Sequence, residues 1–396
     1  MSESATPTMS CRVCGHNVPV GRFCGWCGAF LTHNRGDGPD WLRVREYAAA
    51  PGENVLQPSI VSTMFPHLPD RSQGTFRVGL LLVVTMLVVC CTLHWYIAMV
   101  AIATFAPLLL LAIYIVDTGV IGDVPRWVWV LTVALGAVVG VVWAYLTSAM
   151  LAESYSLGLG TEVPTAELVR IAVVIPAGGL LSMQLPVVLV RLIRPPVRES
   201  LYGFVIGVLG ATTFTIAATM SRILPQLGSG QLTGEQPVGD LLLEATVRGV
   251  TMPLVAASVG GLVGAGLWYS RRDGPDRHGR RIVVGALGLS AGAAVYAIVG
   301  LIEAFRMPPS LQVLVHLALA LVAMLALRVG LQLAMLHERQ ETTHPDLPIA
   351  CPDCGHVVPD MAFCPACGVA AQAASRASRA ARRQDRPQPS AEPVAS

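Results

Sequence analysis

The chain has 396 residues, of which 53% are hydrophobic and 13% are charged, whereas soluble globular proteins carry about 25% charged residues. This composition excludes an ordinary soluble enzyme, and the high hydrophobicity with a net charge of only +2 excludes a largely disordered chain. All 27 basic residues are arginine, which also excludes a P-loop lysine, a Schiff-base lysine and a Ser/Lys dyad.

Both ends of the chain carry the same arrangement of cysteines, C-x2-C-x9-C-x2-C, and neighbouring glycine, histidine, proline and phenylalanine residues recur with it. Four thiolates per module suit a tetrahedral metal, and a site filled by four cysteines keeps no open position for catalysis. A module of about 20 residues cannot bury a core, so the metal must supply its folding energy. The pattern predicts two structural Zn²⁺ sites, with iron as the alternative metal. The predicted ligands are Cys11, Cys14, Cys24 and Cys27, and Cys351, Cys354, Cys364 and Cys367.

These arrays define two zinc ribbons, at residues 11–32 and 351–371. Because the cytoplasm is reducing, disulfides are a poor alternative for cysteines located there. We expect residues 1–10 to be disordered and residues 33–76 and 337–350 to be linkers.

Two segments near the membrane have more than one interpretation. The apolar stretch 60–65, within the first linker, fits either an interfacial foot on the membrane or a turn against the bundle. Segment 372–396 contains five arginines among alanine, serine, glutamine and proline, and is predicted to be a basic disordered tail. The tail could contact anionic lipid, whereas five arginines without aromatic residues argue against nucleic acid as a partner.

Residues 77–336 form a hydrophobic block between the polar ends. A membrane-spanning helix needs about 20 mainly apolar residues, and a buried core helix could explain one such run but not a series. We therefore predict an all-α polytopic membrane bundle of about eight transmembrane helices, in contact with the lipid bilayer and flanked by the two ribbons. The predicted spans are 78–95, 97–116, 127–150, 168–192, 201–220, 245–269, 282–302 and 311–336.

Arginine is concentrated in one set of loops. With eight spans, Arg71 and Arg77, the loop at 191–198 and the loop at 271–281 lie on one side, while the opposite loops carry mainly acidic residues. Arginine-rich loops face the cytoplasm. We expect a multi-pass protein of the bacterial inner membrane with both termini, and hence both ribbons, in the cytoplasm.

Glycine pairs with four-residue spacing recur inside the predicted spans, and such pairs allow helix backbones to approach closely. We favour packing within one chain, with a homodimer as the alternative. The pairs are Gly136 and Gly140, Gly203 and Gly207, Gly260 and Gly264, and Gly288 and Gly292.

Few ionisable residues lie in the spans, where they are candidate functional groups. Glu167 and Arg170 begin the fourth span on one helical face and could pair, and His316 lies inside the eighth span. No cluster of His, Glu and Asp predicts an open metal site. Glu167 and His316 are therefore the candidates for catalysis.

Three segments carry a family resemblance: 113–117 at the end of the second span, 164–170 at the start of the fourth, and 201–210 in the fifth. They resemble the PrsW-like intramembrane metalloproteases, and the order of the spans from about residue 80 to 305 is also similar. Ribbons and bundle together resemble a group of actinobacterial zinc-ribbon membrane proteins. The resemblance implies a metal and an activated water held within the membrane.

The residues of this chain depart from the family's motifs. The paired glutamates fall on Ala166 and Glu167, and the lysine that follows them falls on Arg170. The phenylalanine and glutamate of the next motif fall on Gly210 and Phe214, and no histidine occurs between residues 245 and 269, where the third motif would lie. Because a catalytic metal needs about three protein ligands, the resemblance implies the fold and argues against the activity.

These observations leave three hypotheses. The first is a non-catalytic binding or regulatory scaffold, a pseudoenzyme that presents its ribbons to an unknown cytoplasmic protein. The second is an active PrsW-like intramembrane metalloprotease with a rebuilt site. The third is a transporter or lipid-handling protein, which the shortage of buried charge and of clearly paired broken helices disfavours.

Overall fold

The structure is a computed structural model that describes residues 7–12, 14–31, 60–66, 70–93, 95–157, 173–228, 247–269, 292, 298, 308–338, 341 and 343–387. In chain order, its strands are β1 (Thr8–Ser10), β2 (Asn17–Pro19), β3 (His344–Ala350) and β4 (Val357–Asp360). Its α-helices are α1 (Ile60–Met64), α2 (Asp70–Thr92), α3 (Tyr96–Asp117), α4 (Val120–Asp123), α5 (Arg126–Leu157), α6 (Ile175–Leu192), α7 (Ser200–Gly228), α8 (Met252–Trp268), α9 (Pro309–His337) and α10 (Arg376–Gln384). A π-helical turn, Val247–Thr251, precedes α8, and a 3₁₀ turn, Ala371–Ala373, precedes α10.

The helical bundle agrees with the predicted series of spans. Six of the described helices, α2 and α5 to α9 (with the π-helical turn before α8), are long and apolar enough to cross a membrane. Helix α3 contains a shorter apolar stretch, Ala101–Asp117, at the second predicted span, and the predicted break before it is confirmed between Thr92 and Tyr96. The span predicted at 282–302 lies outside the described residues, apart from Gly292 and Ile298.

Helix α7 is the centre of the bundle. In an apolar 18-residue stretch of its segment Ser200–Pro225, 89% of the residues are buried, compared with 17% in the corresponding stretch of Gly74–Thr92 in α2. Its neighbours α5 and α8 enclose it, and its apolar side chains join theirs in one core cluster. The outer helices leave many large apolar side chains exposed, which is the pattern of a surface that faces lipid.

The predicted glycine pairs form the contacts around α7. A Cβ atom added at Gly203 or Gly207 would collide with the carbonyl oxygen of Gly264 or Gly260, respectively. On the other side of α7, a Cβ atom at Gly136 would lie 3.0 Å from the Gly210 oxygen. The interpretation of these pairs as packing within the chain is confirmed, because small residues let the backbones touch. Gly288 lies outside the described residues.

Helix α1 is a turn against the bundle and not an interfacial foot. Thr63, Met64 and Phe65 are buried, and the Phe65 ring lies 4.5 Å from that of Phe76. The Tyr114 hydroxyl donates a hydrogen bond to the Pro66 carbonyl (2.9 Å). The guanidinium of Arg328, deep in α9, donates to the Thr63 hydroxyl (3.2 Å) and to Ser62. A buried cation needs such partners, which explains why this segment enters the bundle.

The boundaries of the polar ends differ from those expected. Strand β1 lies in the segment predicted to be disordered and β3 in the predicted linker 337–350, because each pairs with a strand of the adjoining ribbon. Residues 376–384 form α10, although they belong to the predicted disordered tail. The helix forms because distant acidic side chains bind it, as described below.

Candidate metal centres and an acidic docking face

The eight predicted ligands form two clusters, each with its four sulfur atoms within 4.8 Å of one another. The Sγ atoms of Cys11 and Cys27 lie 3.8 Å apart, and those of Cys351 and Cys367 also lie 3.8 Å apart. A tetrahedron with metal–sulfur bonds of about 2.3 Å has edges of about 3.8 Å, so both clusters have the spacing that a four-thiolate metal site requires.

Tight backbone turns position the sulfur atoms. In the first ribbon, the amide of Gly15 donates to the Cys11 carbonyl and that of Gly28 to the Cys24 carbonyl, both at 2.8 Å. Both glycines have positive φ angles (72° and 76°), a conformation that costs side-chain-bearing residues energy. The second ribbon repeats the same bonds and angles at Gly355 and Gly368.

The histidines that recur in the repeat lie outside both clusters. His16 and His356 each place Nδ1 3.0 Å from the carbonyl oxygen of the preceding cysteine, Cys14 and Cys354. They therefore stabilise the cysteine turns, and His16 also stacks on Trp26 with ring centroids 4.7 Å apart.

The two ribbons pack on each other with a local two-fold relation. The Phe23 amide donates to the Pro365 carbonyl, and the Phe363 amide donates to the Gly25 carbonyl, both at 3.0 Å. These bonds are equivalent under the repeat, because residues 23 and 363 correspond, as do residues 25 and 365. The contact resembles an isologous dimer interface formed within one chain.

The second ribbon also anchors the pair to the bundle. Ala362, Phe363, Ala370 and Ala373 belong to the same buried core cluster as α3, α7 and α8. In the first ribbon, the residues equivalent to Ala362 and Ala370 are Arg22 and Phe30, which remain at least partly exposed. The repeat has thus diverged into an anchored module and a presented module.

Helix α10 begins on a carboxylate and a phenol from the bundle. The carboxylate of Asp123 accepts hydrogen bonds from the backbone amides of Arg376 (2.7 Å) and Ala377 (3.1 Å). The Tyr202 hydroxyl accepts from the Arg376 amide (2.9 Å) and itself donates to Asp123. These contacts satisfy the amides at the helix start and place negative charge at the positive end of its dipole.

The arginines of α10 pair with acidic side chains that face them. Arg379, of which only 3% is exposed, donates to Glu199 (2.9 Å) and Glu341 (3.0 Å). Arg383 bridges Glu341 (2.8 Å) and Asp360 of the second ribbon (3.0 Å). We call Asp123, Glu199, Tyr202 and Glu341 the acidic docking face.

Glu338, at the end of α9, is a buried carboxyl beside this face. It accepts hydrogen bonds from the backbone amide (2.7 Å) and the hydroxyl (3.1 Å) of Ser200, at the start of α7. Burial raises its pKa to about 8, the nearby Glu199 carboxylate acts in the same direction, and the Ser200 bonds and Arg379 oppose the shift. Burial likewise raises the pKa of Glu199, against the opposing effect of Arg379.

The raised pKa of Glu338 predicts a pH-dependent stability. In the folded state Glu338 keeps its proton up to about pH 8, whereas an unfolded glutamate releases it near pH 4.5. The free energy of unfolding therefore falls as the pH rises between those values, because the unfolded state is stabilised by ionisation. Glu338→Gln should flatten that slope and raise the unfolding free energy at pH 8 by on the order of 2–4 kcal/mol. Thermal unfolding in detergent from pH 5 to 8.5 measures it.

Glu341→Gln is the matched control for this measurement. Hydrogen bonds and charge from Arg379 and Arg383 outweigh burial and lower the pKa of Glu341. The ionised Glu341 carboxylate therefore stabilises the folded protein at neutral pH, and this stabilisation is lost as the pH falls. Glu341→Gln should destabilise the protein at pH 7. Equal effects of both substitutions would contradict the assignment.

The predicted catalytic candidates do not form a centre among the described residues. Glu167 lies outside them. His316 is buried, its Nδ1 lies 2.7 Å from the Gln312 carbonyl, and its Nε2 has no hydrogen-bond partner in the described part of the chain. The two cysteine clusters are the groups of potential metal ligands that the described residues contain. Phe214, where the family motif would place a glutamate, is buried against α5.

Sequence reasoning missed the acidic docking face. Its members come from three separate places in the chain, and none belongs to a motif. One signal was present: Ser375 precedes arginines at 376, 379 and 383, a helix cap followed by one charged helical face.

Fold and sites define a polytopic membrane protein with a fused pair of four-cysteine modules. The family model described as PrsW family intramembrane metalloprotease matches residues 124–327, just over half of the chain. The chain belongs to the PrsW family. The match runs from the residue after α4 into α9, so the ribbons and α10 lie outside it. No curated protein and no solved structure matches the chain.

Proposed function

We propose that this PrsW-family protein is a non-catalytic binding scaffold that presents a zinc-stiffened ribbon pair at the cytoplasmic face of the bacterial inner membrane. The observation that carries the proposal is the divergence of the repeat: the second ribbon is anchored in the bundle core, and the first is presented outward. Zinc is the metal we propose for both clusters, because four thiolates without an open position suit a structural zinc.

The outer surface of the first ribbon supports a binding role. Arg12 and His16 are exposed, and Trp26 is half-buried beside His16. The residue equivalent to Trp26 in the second ribbon is Ala366. Aromatic and arginine side chains carry much of the binding energy at protein interfaces, so the first ribbon is the module that we expect to contact a cytoplasmic protein.

The interior of the bundle supports the absence of catalysis. Gly210 and Phe214 lie in the contact between α5 and α7, where a Cβ atom at Gly140 would collide with the Phe214 carbonyl. Glycine packing of this kind leaves little room for a carboxylate, a metal and a water at that level of α7.

An active protease with a rebuilt site is the second candidate function. The observation that favours it is His316, whose buried Nε2 would be satisfied by a metal or a water. Glu167 would then have to supply a carboxylate.

Metal counting on the pure full-length protein separates the two functions. The scaffold predicts two zinc ions per chain, and two again in Glu167→Ala, because all eight ligands lie in the ribbons. Mass spectrometry of the metal content measures this, with Glu162→Ala as a control for loss of a nearby carboxylate. A third zinc ion that is lost in Glu167→Ala and retained in Glu162→Ala would contradict the scaffold and favour the protease.

A further inference from the structure

Helix α10 docks through its charged side chains and not through apolar ones. Its sequence has alanine, serine, arginine and glutamine only, and the one side chain in it that is buried is Arg379. Ala377, Ala380 and Ala381 are exposed. The helix thus turns its arginines toward the protein and its alanines toward solvent, the reverse of an ordinary amphipathic helix.

A helix with this composition depends on its docking site. Nine residues are too few for a stable helix in water, and α10 gains little from hydrophobic burial. Its first amides and the guanidinium groups of Arg376, Arg379 and Arg383 have their partners in the acidic docking face and in Asp360. We expect it to unfold when it leaves that face.

The ion pairs that hold α10 are open to solvent at several points. The exposed fractions of the side chains are 51% for Arg376, 27% for Arg383 and 31% for Glu341. Salt screens exposed pairs of this kind, and their individual contributions are small. Arg379 is the exception, because it is buried between Glu199 and Glu341.

We propose that α10 is an electrostatic latch: the segment folds into a helix on the acidic docking face, and it detaches from that face as a disordered, arginine-rich segment. The latch joins three parts of the chain: the bundle through Asp123 and Glu199, the connector after α9 through Glu341, and the second ribbon through Asp360. Its release removes the polar attachment of the ribbon pair and uncovers the acidic face. The latch is independent of whether the bundle is catalytic.

Hydrogen exchange of the full-length protein in zwitterionic nanodiscs tests the latch. The readout is the protection of the backbone amides of residues 376–384. We expect protection at 50 mM NaCl to fall about tenfold at 500 mM NaCl, because loss of about 1.4 kcal/mol of docking energy gives that factor. Glu199→Gln should lower protection to a similar extent at 50 mM NaCl, and Arg379→Gln provides a second variant.

Two internal controls make the outcome decisive. Asp346→Asn removes an exposed carboxylate of β3 that is not among the described ion-pair partners of α10, and it should leave protection unchanged. The Gly368 amide, bonded to Cys364, should stay protected at both salt concentrations. Protection that is insensitive to salt and to both variants would overturn the latch, as would unprotected amides at 50 mM NaCl. If the Gly368 amide lost protection together with residues 376–384, the latch would also be overturned, since α10 would then unfold with the second ribbon as a fixed part of it.

Discussion

Cys364→Ser should release α10, whereas Cys24→Ser should not, although the two cysteines are equivalent in the repeat. Each substitution removes one thiolate from a four-thiolate site, and a ribbon without its metal loses on the order of 10–16 kcal/mol of folding energy. Both variants should therefore lose one zinc ion per chain and unfold the affected ribbon. The consequences differ because, among the described residues, it is the second ribbon that contributes side chains to the bundle core and pairs with α10.

Zinc content and hydrogen exchange measured on the same samples give the comparison. In Cys24→Ser, the amides of β3, β4 and α10 should keep their protection from exchange. A partner protein that crosslinks to the wild type should no longer crosslink to this variant. In Cys364→Ser, residues 376–384 should exchange freely, while the first ribbon retains its metal. Release of α10 in both variants would show instead that the two ribbons fold as one unit. Thermal unfolding of the bundle should change little in Cys24→Ser.

The sequence predicts the two cysteine clusters well because the information that specifies them is local. Two CxxC pairs with a fixed separation specify four sulfur atoms on two tight turns, and the structure brings Cys11, Cys14, Cys24 and Cys27 together as expected. The glycine contacts of α7 are predictable for a similar reason. A four-residue spacing places Gly203 and Gly207 on one helical face before any partner helix is known.

The docking of α10, and the choice between a turn and an interfacial foot at α1, could not be predicted in this way. Their partners are remote: Arg376 meets Asp123, and Arg328 meets Thr63, in each case across most of the chain. Nothing apolar marks α10 as a helix, so its sequence alone resembles a disordered basic tail. The prediction of disorder describes the segment in isolation. In the folded protein, carboxylates from other parts of the chain bind the segment and make it helical.

The glycine contact between α7 and α8 should be the most sensitive part of the bundle to a small substitution. A single added methyl group in Gly207→Ala would collide with the carbonyl oxygen of Gly260, and neither backbone can move without disturbing the neighbouring contact of Gly203 and Gly264. Overpacking of a closed contact costs about 1–3 kcal/mol and occasionally more. We expect a loss of about 3 kcal/mol, seen as a lower midpoint of thermal unfolding in detergent.

Gly74→Ala in α2 is the matched control, since a Cβ atom there meets no other atom within 4 Å. Alanine is the better helix former by about 1 kcal/mol, so this variant should be as stable as the wild type or slightly more stable. The same experiment tests the homodimer alternative. If Gly207→Ala unfolded like the wild type but shifted the protein from dimer to monomer, the glycines would be contacting a second copy. Because the colliding oxygen belongs to Gly260 of the same chain, we expect the loss of stability without a change of oligomeric state.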